Sequence, residues 1–191
     1  MNRRTFLAAS TLSIAGLSGC IADTEYRITE TTASTSIDSL DFSVVTEESD
    51  VTIEHPAELV FTLENTGDDP IKIKNYGVWP FGVVGLVQTP DSDEYSGSTR
   101  LSSQSYETSD RVEVNPSGMT IDGDQIMQTL ESGERVRETY RLHGEEIWSE
   151  GTYYVDPSFP NRQPSYAIDD DWKTFEYQTE VRIEAKERLP F

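Results

Sequence analysis

From residue 40 onward, apolar and polar side chains alternate with a period of two, the pattern of half-buried strands rather than helices. Leu40-Asp41-Phe42-Ser43-Val44 predicts a first strand. In the next, Leu59, Phe61 and Leu63 face one way while Glu58, Thr62 and Glu64 face the other. Asn65-Thr66-Gly67-Asp68-Asp69-Pro70 then interrupts the alternation as a dense turn. Gly supplies a positive φ, Asn and Asp side chains bond nearby backbone, and Pro fixes φ at the exit. Ile71 and Ile73 alternate with Lys72 and Lys74 in the strand that follows. Over Glu134–Leu142, Val136, Tyr140 and Leu142 share a face opposite Arg135, Arg137, Thr139 and Arg141. Glu138 falls on the apolar side, which predicts a bulge or a frayed inner face. Gly151–Val155 predicts a short strand. Lys173–Ala185 predicts one long strand, with Phe175, Tyr177, Thr179, Val181, Ile183 and Ala185 on one side and polar residues opposite. Residues 91–110 are the most polar stretch and predict a long loop or irregular edge hairpin. Roughly seven to nine strands with turns between them, and no convincing amphipathic helix, predict an all-β antiparallel sandwich over residues 39–191.

The first 38 residues follow a different logic. Arg3-Arg4-Thr5-Phe6-Leu7 resembles the twin-arginine export motif, carried by Arg3, Arg4, Phe6 and Leu7. The apolar stretch Phe6–Leu17 is short and diluted by Ser, Thr and Gly. A spanning helix needs about 20 mostly apolar residues, so this stretch suits the h-region of a signal peptide over residues 1–19. Leu17-Ser18-Gly19-Cys20 resembles a lipobox, which implies that Cys20 is lipidated and becomes the first mature residue. Resemblance to twin-arginine substrates also implies export of an already folded chain. Residues 20–38 are crowded with Ser and Thr, and their larger apolar residues (Ile21, Tyr26, Ile28, Ile37) are scattered. Such a composition predicts a disordered tether, a stalk of roughly 25 Å as a flexible coil whose hydroxyls could accept sugars.

Charge narrows the partners. The 191 residues carry 15 bases against 35 acids, a formal net charge of −20. Removing residues 1–19, which hold Arg3 and Arg4 and no acid, makes the remainder still more acidic. That argues against nucleic acid and anionic lipid headgroups as partners, because phosphates and carboxylates repel. Four Lys against eleven Arg, with abundant Asp and Glu, resembles the proteins of salt-loving archaea, the alternative being an ordinary acidic secreted domain. In molar salt the Debye length is about 3 Å, so such self-repulsion is tolerable. The single cysteine, Cys20, excludes an intrachain disulfide and a thiolate metal centre.

Three segments resemble a known architecture. Glu58–Ile73, read as a strand, an N-T-G-D-x-P-type turn and a second strand, is similar to a hairpin of archaeal and bacterial surface Ig-like domains. CARDB-like adhesion modules and BsuPI-type proteinase-inhibitor domains share it. Leu130-Glu131-Ser132-Gly133-Glu134 is similar to their L-x-P-G-E turn, with Ser132 where Pro is usual, and Gly151–Val155 resembles their late G-x-Y-x-V strand. The resemblance implies an Ig-like sandwich; it does not fix an activity.

Candidate chemistry is sparse. The apolar run Tyr76–Val87 places Trp79 and Phe81 around Pro80, either as an exposed binding ridge or as the core of the sandwich. Asp156–Trp172 holds Phe159, Tyr166 and Trp172, either as a recognition loop or as a crossover packed on the sheet. Asp91/Asp93/Glu94, Asp122/Asp124 and Asp169–Asp171 offer oxygen ligands, but none has the spacing of a calcium loop, so no metal and no cofactor is expected. His55 and His143 are the only histidines and no G-x-S-x-G follows the signal, so no catalytic residue is expected. The expectation is a lipoprotein anchored through Cys20 to the outer face of the cell membrane. Its module binds a macromolecular partner or supports the envelope, with Trp79, Phe81, Phe159, Tyr166 and Trp172 as the candidate surface. The alternatives are a BsuPI-type inhibitor of secreted proteases, with residues 156–166 as its inhibitory loop, and a solute-binding accessory lipoprotein.

Overall fold

Alternation is converted into buried and exposed faces strand by strand in a computed structural model of the chain. It describes residues 25–89, 98–115, 118–159 and 162–186. The export motif (Arg3, Arg4, Phe6, Leu7), Cys20 and Asp91/Asp93/Glu94 lie outside the described residues. In chain order the first strands are β1 (Tyr26–Thr35), β2 (Leu40–Glu48), β3 (Asp50–Val51), β4 (Ala57–Asn65) and β5 (Ile71–Tyr76). Then come β6 (Val84–Val87), β7 (Thr99–Arg100), a short helix α1 (Gln104–Thr108), β8 (Val112–Asn115), β9 (Gly118–Ile121) and β10 (Gln125–Leu130). The chain continues through β11 (Arg135–Leu142), a 3-10 turn at Gly144–Glu146, β12 (Gly151–Pro157), β13 (Ser165–Ile168), β14 (Asp171–Thr174) and β15 (Tyr177–Ala185).

These strands form an antiparallel β-sandwich. A six-stranded sheet runs β3-β1-β15-β12-β6-β7, a three-stranded sheet β11-β4-β2 and a four-stranded sheet β10-β5-β13-β14, with β8-β9 as a separate hairpin. The fifteen strands among the described residues exceed the seven to nine expected because several are only two to four residues long, too short for a period of two to register.

An aromatic seam joins the layers. Phe42 of β2 and Phe61 of β4 sit 5.7 Å apart, and Tyr140 of β11 lies 4.7 Å from Phe61. Tyr177 of β15, in the opposing sheet, comes within 5.0 Å of Phe42. Phe81 fills the space between, 5.5 Å from both Phe42 and Phe61. Offset and edge-to-face pairs at these separations add to the burial of the rings themselves.

Two turns that resembled the surface-domain hairpins dock on one another through Asn65, which is fully buried. Its side-chain amide donates to the carbonyls of Asp69 and Leu130, both at 2.9 Å, and its side-chain oxygen accepts from Gly67 N. Its backbone exchanges hydrogen bonds with the 130–134 turn: Asn65 N donates to Glu134 O, and Gly133 N donates to Asn65 O. Gly133 has φ +74°, a conformation that disfavours a Cβ.

Three expectations fail. Residues 26–35 are not a tether: they form β1, paired with β15 from Tyr26↔Ala185 to Thr35↔Tyr177. Tyr26 and Ile28 are buried, and the many β-branched threonines fit an edge-to-interior strand as readily as a coil. The sandwich therefore includes Tyr26–Thr35 rather than beginning at residue 39. The predicted strand Lys173–Ala185 is two strands in different sheets, β14 and β15, broken at Phe175 and Glu176. Phe175 is buried on the same alternating phase, so the break left no mark on the pattern. At Glu138 there is neither bulge nor fraying, since β11 pairs with β4 in unbroken register. The carboxylate is half-buried and accepts hydrogen bonds from Ser103 and, at 2.9 Å, from Ser105 beside α1. Two hydroxyls supply in the interior what water would supply outside.

Candidate binding surfaces

Of the two placements open for the segment around Pro80, the structure shows the core and not an exposed ridge. Phe81 is only 1% exposed, at the centre of the aromatic seam. Trp79 is half-buried against the core, and its indole N–H donates to Ile73 O at 3.3 Å. Gly77 and Gly82, with φ near +78° and +77°, turn the chain at both ends of this segment so that it folds inward. Eight apolar side chains in twelve residues gain more from the core than from a surface, and the core placement of Trp79 prevails. Phe159 and Tyr166 are likewise half-buried and packed against the core.

Trp172 is different. Directly opposed residues in an antiparallel sheet share a face, and the register sets Lys72 opposite both Thr129 and Ala167, with Ala167 opposite Trp172. On the same outer face, Lys74 lies opposite Met127 and Ser165. The Lys74 ammonium stands 3.9 Å from the centre of the Trp172 ring, and the Arg162 guanidinium lies 4.7 Å from that of Tyr76. Gln125 donates to the Tyr76 hydroxyl, and Arg162 to the Asp122 carbonyl at 2.9 Å. Met127 is 60% exposed beside them. The outer face of β10-β5-β13-β14 thus combines aromatic rings, cations and an exposed thioether in a strongly acidic protein, a composition enriched in protein interfaces.

A second surface lies at one end of the sandwich. The turn after β3 is closed by Thr52 and His55: Thr52 N donates to His55 O, and His55 N to the Thr52 hydroxyl. Gly144 N donates to Thr52 O at 3.0 Å. A Cβ on Gly144 would lie 2.7 Å from the Thr52 carbonyl carbon, so glycine permits this approach. The docked turns enclose an open groove of about 760 Å³, whose lining includes Glu25, Asp50, Ile53, Glu145, Trp148 and Lys186. Both ends of the described chain meet here, Lys186 N donating to Glu25 O. Lys186 and Arg27 hold Asp50 at 2.8 and 2.9 Å, and they keep its carboxyl below the usual range, Lys186 first. On the rim, Trp148 is 86% and Ile53 62% exposed. Neither was flagged by the pattern. The signal available was a tryptophan in Glu145-Glu146-Ile147-Trp148-Ser149-Glu150, where Ile147 alone turns inward.

The sequence matches, over residues 1–191, the family described as "Domain of unknown function (DUF8130)". The chain belongs to that family. No curated protein matches it. The matched residues include Arg3, Arg4 and Cys20 as well as the sandwich.

One further juxtaposition in this DUF8130 chain was not legible beforehand. The Ser102 hydroxyl and His143 Nε2 lie 3.1 Å apart, beside a cavity of about 180 Å³ lined by Arg100, Tyr106 and Glu146. The pair follows from pairing geometry, since Ser102 and Arg141 exchange backbone hydrogen bonds at 2.9 and 2.8 Å. A hydrolytic relay also orients the histidine through its second nitrogen. Among the described residues no carboxylate hydrogen-bonds His143. Of the acidic groups considered for calcium, Asp170 pairs with Lys72 and Asp171 with Lys173, and Asp122 and Asp124 each lie 4.0 Å from Arg111. No long apolar helix capable of crossing a membrane occurs among the described residues.

Proposed function

We propose that this protein is an exported, non-enzymatic lipoprotein whose β-sandwich is held at the outer face of the membrane and engages a macromolecular partner. The anchor reading is supported by the L-S-G-C motif at Cys20, and the start of β1 at Tyr26, six positions on, sets how near the domain would lie to the lipid. A lipid on Cys20 would then hold the domain directly at the bilayer, with no long stalk between. The acidic surface suits a saline exterior. Replacing Cys20 with Ser is expected to abolish partitioning into the detergent phase while leaving the fold unchanged; a variant that still partitions would remove the anchor.

The outer face of β10-β5-β13-β14 is the surface best suited to the partner, because Trp172, Tyr76 and Met127 lie there among cations. A photo-reactive residue at Met127 should give a discrete adduct in intact envelopes, and the same group at Glu180 should not. Equal adducts from both positions would argue against this face. The inhibitor alternative draws less support. Phe159 packs on the core, and Pro164 is buried with its carbonyl bonded to Phe175 N, so these side chains turn toward the protein and away from a protease cleft. Unchanged proteolysis by secreted proteases in high salt would count against it.

A further inference from the structure

We infer that the end of the sandwich bearing Trp148 and Ile53 rests in the headgroup–acyl boundary of the bilayer. This placement depends on the lipid anchor proposed above and specifies which surface the anchor presents to the membrane.

The argument starts from covalent reach. Glu25 lines the groove whose rim carries Trp148 and Ile53. Five residue steps separate Cys20 from Glu25, and a fully extended chain spans at most about 3.6 Å per step, so roughly 18 Å is the greatest separation between lipid attachment point and groove. A lipid at position 20 therefore brings this end, and not the far end of the sheets, to the membrane.

The chemistry of the rim agrees. Trp148 is 86% and Ile53 62% exposed, the two most exposed large apolar side chains among the described residues. Tryptophan favours the membrane–water boundary, where its ring is shielded and its N–H still finds acceptors. The backbone of the rim is fixed in place: the Thr52–His55 turn is internally hydrogen-bonded, and Gly144 N ties it to the 3-10 turn preceding Trp148. Both side chains are thus presented on short, braced turns.

Charge makes the inference specific. Glu25, Glu54 and Glu145 line the same groove, while Asp50 is neutralised by Lys186 and Arg27. Anionic headgroups would repel these carboxylates in dilute buffer, and molar salt would screen the repulsion. Insertion should therefore strengthen with salt, opposite to a polybasic membrane contact, which weakens.

The test uses the lipidated chain in phosphatidylcholine–phosphatidylglycerol vesicles at molar salt, with and without brominated acyl chains. Brominated chains are expected to quench tryptophan emission, and acrylamide is expected to lose access to one tryptophan. Trp148→Phe should remove the quenched component without changing detergent partitioning, and lowering the salt should reduce quenching of the original chain. Equal quenching in Trp148→Phe, or full acrylamide access to Trp148 in a chain shown by mass to carry lipid, would overturn the placement alone. A free thiol at position 20 would overturn the anchor and the placement together. Self-association of Cys20→Ser protein that shields Trp148 without vesicles would assign the rim to a second copy instead.

Discussion

Phe81 and Trp148 make an instructive pair. Both are large aromatics in turns, yet Phe81 is the centre of the seam between sheets and Trp148 is the most exposed large apolar residue described. The surroundings decide. Phe81 lies in an apolar run closed by two positive-φ glycines, so the segment can fold back between Phe42 and Phe61. Trp148 follows the 3-10 turn that Gly144 ties to Thr52, and its indole stays on the rim of the open groove. A hydrophobic residue on a well-braced turn, outside the core, is the more informative candidate for contact with another surface.

That contrast can be broken most forcefully at its buried member. Phe81→Ala should cost about 3–5 kcal/mol through lost burial and the cavity left behind, read as a lower urea midpoint in high salt. A change below about 1 kcal/mol would mean that the seam collapses around the gap. Asn65→Ala should cost about 3 kcal/mol, because the Leu130 carbonyl and Gly67 N–H lose their partner in a buried site. Hydrogen exchange should then quicken in both docked turns together. Exchange confined to one turn would show that they are not joined through Asn65.

At the groove end the effects are smaller. Asp50 is held ionised by Lys186 and Arg27, so its folded-state pKa lies below its ordinary 3.8. Its contribution is present at pH above that value and is lost as pH falls through the depressed folded value. Asp50→Asn should therefore lower stability slightly at neutral pH and converge with the original chain in acid. A difference that widens on acidification would contradict the sign. Trp148→Ala should change the stability of lipid-free protein by no more than about 0.5 kcal/mol, as at other exposed positions. A large loss would mean that the indole supports the fold.

Much of the sandwich was legible where alternation is strict. Leu59, Phe61 and Leu63 against Thr62 and Glu64 predicted β4, and Ile71 and Ile73 against two lysines predicted β5. The Asn65 turn was legible as a turn but not as a dock for residues 130–134, since a contact across 65 positions leaves no local trace. β1 was missed because threonine-rich composition does not separate a coil from a strand whose partner lies at the far end of the chain. Of the five aromatics considered for binding, Trp172 alone reaches the outer face of the four-stranded sheet, beneath Lys74. Trp148 was passed over because Ile147 is the one other apolar residue around it, and two adjacent apolar positions set no alternating pattern.

The central claim is a folded sandwich tied by lipid at its Trp148-bearing end. Intact mass of the protein extracted from membranes tests it most directly. The expected mass begins at Cys20 and exceeds the polypeptide by one lipid group. A mass that retains residues 1–19, or one showing an unmodified sulfhydryl at position 20, would contradict it.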